Sequence, residues 1–160
     1  MGEHWIVNAS PLIVLAKVGM AEFLIAMPDS LVTSQVVADE ILRGPAEDPA
    51  ARLVASGAIA IVDAPPPPAF LVGWDLGPGE TSVLTLASME PSSIAVVDDA
   101  AARRCANSLG VPTRGTLSVL VQAKRAGLLA EIAPVLSRVR AAGLYLSDRL
   151  VKEVLEQARE

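Results

Sequence analysis

Residues 94–104 read Ile-Ala-Val-Val-Asp-Asp-Ala-Ala-Ala-Arg-Arg, IAVVDDAAARR, and they decide the fold class. Four apolar residues make a short buried strand, and the alanine-rich basic segment after them makes a helix. Two adjacent carboxylates stand at the junction. Like charges at that spacing repel, so something must offset the cost: solvent, a helix N-terminus, an arginine or a metal ion.

The same strand-then-helix unit recurs on both sides of this stretch. HWIVNA (4–9) reads as a first strand. Ser10 is the expected N-cap and Pro11 the first helical residue of a helix ending at Gly19. AEFLIAM (21–27) is a second short helix and Leu31-Val32-Thr33 a brief strand. Ser34 caps QVVADEILR, and Pro49 opens a further helix. AIAIV (58–62) is a strand, followed by a stiff polyproline connector at Pro65–Pro68. LGPG turns into the helix ETSVLTLASM, and after the opening stretch come a short strand VPT (111–113) and three helices, the last capped by Ser147. Short apolar strands alternating with helices predict an α/β fold: a parallel sheet of about four to five strands with helices on both faces. In such sheets ligands bind outside the carboxyl ends of the strands.

Composition narrows the class. The 160 residues suit one domain spanning 1–160. They are 52% hydrophobic but only 3% aromatic, so the core is aliphatic. No apolar run reaches the ~20 residues of a membrane span, and MGEHWIVNAS lacks a signal-peptide pattern, so a cytoplasmic protein is expected. One cysteine, Cys105, excludes an intrachain disulfide and the usual zinc sites. Lone His4 offers no triad. The net charge of −5 is unevenly spread: residues 1–100 hold thirteen acids and three bases, residues 101–160 five acids and ten bases. An acidic region beside a basic one can bind a polyanion locally; a surface of intermixed charges is the alternative.

Asn8 closes the first strand and Asp98 with Asp99 the fourth; Glu40 and Glu80 lie on neighbouring helices. If strands 1 and 4 are neighbours, these five residues converge on one oxygen-lined pocket suited to Mg²⁺ or Mn²⁺. Each also has a plainer explanation. Asp98 or Asp99 caps the following helix, with Asp99 and Arg103 at ion-pair spacing; Glu80 answers the helix dipole; Glu40 is solvated; Asn8 satisfies a turn; Cys105 fills core. A nucleotide-binding α/β domain ranks low, because LGPGE is neither a dinucleotide fingerprint nor a P-loop.

VNASPLIVLAKVG, VVADEIL, LGPGETSVLTLA and IAVVDDAAARRCANSLGVPTRGTLSVLVQAKRAGLL, in that order, resemble the PIN-domain superfamily, more closely a divergent branch of small prokaryotic proteins related to the VapC toxins. The resemblance runs from Ile6 to the last helix. It implies a metal-dependent ribonuclease using Mg²⁺ or Mn²⁺, an RNA substrate, an antitoxin protein as partner and a homodimer. The family's acids fall on Asn8, Glu40, Glu80 and the Asp98–Asp99 pair, and Arg103 and the Gly115-Thr116 turn also match. Arg103, Arg104 and Arg114 are the expected RNA contacts. The departure is Asn8, where the typical nuclease has aspartate. It opens an alternative: a PIN-like binding module without catalysis that acts through protein partners.

Overall fold

The structure is a computed structural model and describes residues 2–160. Five strands form one sheet: β1 (His4–Val7), β2 (Ser30–Ser34), β3 (Ala60–Val62), β4 (Ser93–Val96) and β5 (Thr113–Arg114). Their spatial order is β3-β2-β1-β4-β5, and every pairing is parallel. Between and after them run α1 (Ala9–Lys17), α2 (Ala21–Ala26), α3 (Gln35–Leu42), α4 (Pro49–Ala55), α5 (Ala69–Val72) and α6 (Pro78–Met89), then α7 (Ala100–Ser108), α8 (Thr116–Arg125), α9 (Ala133–Ala141) and α10 (Asp148–Gln157). This is the α/β arrangement the sequence predicts. None of these helices is long and apolar enough to cross a membrane.

The chain leaves β1 in one direction to lay down β2 and β3, then returns through α6 to place β4 on the other side of β1. The winding direction reverses between β1 and β4, and at such a switch point a crevice opens at the carboxyl ends of the strands. Strands 1 and 4 are therefore neighbours, in register from His4–Ser93 to Val7–Val96.

Burial explains why these residues take these places. Trp5, Ile6, Val7 and all of β4 are buried, as central parallel strands covered on both faces must be. Fully removing a Leu, Ile or Val side chain from water stabilises the fold by about 1.5–3 kcal/mol. β3 departs from the expected two-sided burial: all three of its residues are exposed, because it is the outer edge. β5 is shorter than VPT suggested. Pro112 has no N–H to give, so its carbonyl alone joins the ladder, accepting from the Ala95 N–H at 3.0 Å.

Helix ends follow local chemistry. Ser34 accepts from the Val37 N–H and Ser147 from the Leu150 N–H, as expected of both. Ser10 is a correction: α1 already begins at Ala9, Asn8 holds the cap position, and Pro11 falls inside the first turn. The Asn8 side chain makes no cap bond. α5 carries no signal in the sequence: one short turn at residues 69–72 ends the proline connector. Gly110 stops α7 with φ at 71°, a backbone conformation open chiefly to glycine.

Candidate active site

Asn8 is the first residue beyond β1, and its N–H donates to the Val96 carbonyl of β4 at 3.0 Å. It sits at the switch point, 3% exposed, and its Oδ1 has no hydrogen-bond partner. A buried amide oxygen left unpaired costs about 1–3 kcal/mol, so this atom calls for an explanation.

Its neighbours supply one. Gly79, in the first turn of α6, is where α6 meets β1 and α3. A Cβ at Gly79 would lie 3.0 Å from Asn8 Oδ1, 2.9 Å from Glu40 Oε2 and 3.5 Å from Val37 Cγ2. The two oxygens thus face the same point, close together because residue 79 has no side chain to separate them. The approach is pinned from behind. Ser82 Oγ donates to the Gly79 carbonyl at 2.8 Å and meets Ser34 Oγ at 2.6 Å, while Ser34 caps α3, which carries Glu40. Thr33 Oγ1 donates to the Val7 carbonyl at 2.7 Å, fixing the strand end beside Asn8. Glu80 follows Gly79 in the chain and is half-buried, with its Oε2 turned back to 2.5 Å from the place of a Gly77 Cβ.

Asp98 belongs to a second grouping. It lies just beyond β4, half-buried, and its carboxylate accepts from Thr116 N at 2.7 Å and from Thr116 Oγ1 at 2.6 Å. Gly115 plays the part here that Gly79 plays above: a Cβ on it would fall 3.0 Å from Asp98 Oδ1 and 2.9 Å from Arg103 Nη1. The Arg103 guanidinium and the Asp98 carboxylate therefore stand over one glycine at the start of α8.

Several sequence expectations change on this geometry. Glu40, Glu80 and Asp98 do not form one carboxylate cluster: among the described residues no three His, Cys, Asp or Glu side chains stand together in a way that could hold a metal ion. Thr116 draws Asp98 toward α8, and the position that would complete an acidic group is the neutral Asn8. Asp99 is exposed and caps α7, accepting from the Ala102 N–H at 2.9 Å. It forms no ion pair with Arg103 among the described residues. Arg114 is also committed elsewhere. It pairs with Glu3 at 2.7 Å and its guanidinium lies 5.6 Å over the Trp5 ring, so it is not free to meet RNA. Burial acts to raise the Glu3 carboxyl, but hydrogen bonds from Trp5 and Arg114 outweigh it and hold the group below its ordinary value. Arg103 and Arg104 are exposed on α7 and enter no ion pair among the described residues. His4 is bonded to Ser30 at the far end of β1, and Cys105 is buried with its thiol pushed up by desolvation, so neither serves as a nucleophile here.

A sequence profile of the PIN domain family matches residues 4–160. The chain belongs to the PIN domain family. Comparison with curated proteins and with solved structures gives no match. The family carries a nuclease-type fold, and PIN domains generally use divalent metal ions, bind RNA and often pair with antitoxins.

The residues present fit such an ion. Mg²⁺ and Mn²⁺ take hard oxygen donors, and Mg²⁺ is commonly held by one or two protein groups while water and substrate phosphate fill the rest of its shell. An unpartnered buried amide oxygen beside a carboxylate oxygen is a donor pair of that kind. Donor chemistry alone does not point to Thr116, Gly79 or the Ser34–Ser82 pair; the signals in the sequence are the family match of the Gly115-Thr116 turn and the place of Ser34 as a helix cap.

Proposed function

We propose that this PIN domain is a divalent-metal-dependent endoribonuclease acting in the cytoplasm, the toxin component of a toxin–antitoxin pair. The observation that carries the reading is the orphaned Asn8 Oδ1 sharing one point with Glu40 Oε2 at the β1/β4 switch point. Asn8 and Glu40 would hold Mg²⁺ or Mn²⁺, with Glu80 flanking them. A divalent ion there supplies charge compensation to a phosphodiester and lowers the pKa of water. Thr116 holds Asp98 in one orientation, leaving its remaining lone pairs to orient and deprotonate an attacking water. Arg103, over Gly115, presents a positive charge to the phosphate as negative charge grows on it. Arg104, exposed on the same helix, adds to the attraction of the backbone. An antitoxin and a second copy of the chain are the expected protein partners.

The test is cleavage of RNA by purified protein with Mn²⁺, with and without EDTA, beside Glu40→Gln and Asp98→Ala variants. Metal-dependent cleavage lost in both variants supports the reading. Equal cleavage by wild type and variants ends it, since the activity then comes from another site or a contaminant.

The missing three-acid cluster favours a second reading, a PIN-like module that binds protein partners without catalysis. Robust wild-type cleavage eliminates it. Activity gained from none by Asn8→Asp supports it.

A further inference from the structure

A cleft of about 250 Å³ opens directly on Asp98, Arg103 and Gly115 and runs between α8, the 144–146 segment and α10. Leu117, Leu144 and Leu150 give it an aliphatic part, and polar groups, Ser118 and Gln157 among them, make up nearly half of its lining. At its rim stands Tyr145, 85% exposed. A single exposed apolar side chain is ordinarily unremarked. This one differs in how it is held. Leu146 beside it is buried, the Leu146 carbonyl accepts from Arg140 Nη2 at 2.7 Å, and Ser147 caps α10 immediately after. The ring is presented to solvent by an anchored turn, at the mouth of a cleft that leads to the proposed reacting groups.

We infer that this cleft receives an unstacked nucleobase of the RNA strand whose phosphate lies at Asp98 and Arg103, with Tyr145 as the stacking platform. The inference rests on the ribonuclease reading for its choice of ligand. The cleft brings together the chemistry one nucleotide asks for: a guanidinium for the phosphate, aliphatic side chains for flat apolar faces, and Ser118 and Gln157 for a base's polar edge. Bases inside a duplex are stacked and cannot enter, so the substrate is single-stranded at this point. Aromatic stacking tolerates any base, because each has a π-face. Glu153 also lines the cleft, and its pairing with Arg149 at 3.1 Å limits the repulsion it offers a polyanion.

The experiment is fluorescence anisotropy with the full chain at low salt in EDTA, so that neither metal nor cleavage enters the result. The probe is a short fluorescein-labelled RNA of mixed sequence, alone and annealed to its complement. Tyr145→Ala should weaken single-strand binding about tenfold, the scale of one lost stacking contact, and leave duplex binding unchanged. Tyr145→Trp should retain wild-type affinity. The residue's exposure makes misfolding no explanation for a loss, and circular dichroism on the variants checks this. Equal affinity of wild type and Tyr145→Ala overturns the inference, as does wild-type protein that binds no single strand or binds duplex as tightly. Tyr145-dependent binding without Mn²⁺-dependent cleavage would sink the nuclease reading and leave the cleft standing. Cleavage without Tyr145 dependence does the reverse.

Discussion

Replacing Asn8 by aspartate tests the site without removing an oxygen. The side chain is 3% exposed and Oδ1 has no donor, so a carboxylate there gains a charge with nothing in the protein to meet it. Glu40 Oε2 faces the same point. With the oxygens 2.9 and 3.0 Å from that point, two unit charges there stand at most about 6 Å apart and repel by ~3 kcal/mol or more at an effective dielectric of about 20. Glu40 is exposed, and solvent screening reduces this to about 1–2 kcal/mol. Desolvating the new carboxylate adds to the cost. A total of about 2 kcal/mol lowers the melting temperature of a domain this size by roughly 4–8 °C. The metal reverses the sign of the effect, because an ion between the two groups turns their repulsion into shared attraction. With Mn²⁺ at 100 times its dissociation constant, binding stabilises the fold by about 2.7 kcal/mol. Asn8→Asp should bind the ion more tightly than wild type and recover most of its deficit. The assay is thermal unfolding of both proteins in EDTA and across a Mn²⁺ titration. A variant that melts at or above wild type in EDTA, or gains no more than wild type from Mn²⁺, refutes the shared ion.

Three further outcomes are expected. Gly79→Ala inserts a methyl 2.9–3.0 Å from both oxygens, so Mn²⁺ affinity by calorimetry should fall at least tenfold, the usual cost of disturbing ligand support; unchanged affinity would place the ion elsewhere. Thr116→Val removes one of the two bonds orienting Asp98, and cleavage should drop about 10- to 100-fold with a stability loss of about 1–3 kcal/mol in urea; wild-type cleavage by this variant would deny Asp98 its role. Hydrogen bonds hold the Glu3 carboxyl below its ordinary value of 4.5, so its contribution is fully present above that pH and is lost as pH falls through the lower, folded value. Glu3→Gln should therefore flatten the acid side of the melting-temperature profile below pH 4.5, and a profile parallel to wild type would show that the Trp5–Glu3–Arg114 group contributes nothing there.

Much of the sheet was legible in the sequence because period and punctuation carry it. IAVV and HWIV are short and apolar enough to mark the central strands, VPT marks β5 only in part because the strand is the half-buried Thr113–Arg114, and Ser34 and Ser147 sit where an apolar helical pattern begins. Serine before proline is a sound start signal, yet the turn out of β1 is so tight that cap and helix both begin two residues sooner, at Asn8 and Ala9. The expectation for Arg114 fails for another reason. Its partner Glu3 is 111 residues away, and no local pattern announces a contact that only the sheet creates.

The site divides along the same line. Asp98 and Asp99 are identical side chains in adjacent positions, and the sequence treats them as one pair. The backbone turns one toward Thr116 and the other into the cap of α7. Donor identity is written in the sequence, but the space between donors is not. At Gly79 and Gly115 the decisive feature is an absent side chain, which no count of acids reveals. A neutral Asn8 gives this absence its purpose. On the proposed metal site, one charge fewer at the strand end lets Glu40 approach a buried oxygen with no ion between them, so the site would fold before metal binds. An aspartate there would make close approach depend on the ion itself. The orphaned Oδ1 is then what the fold retains, at a cost of about 1–3 kcal/mol, to keep an oxygen available.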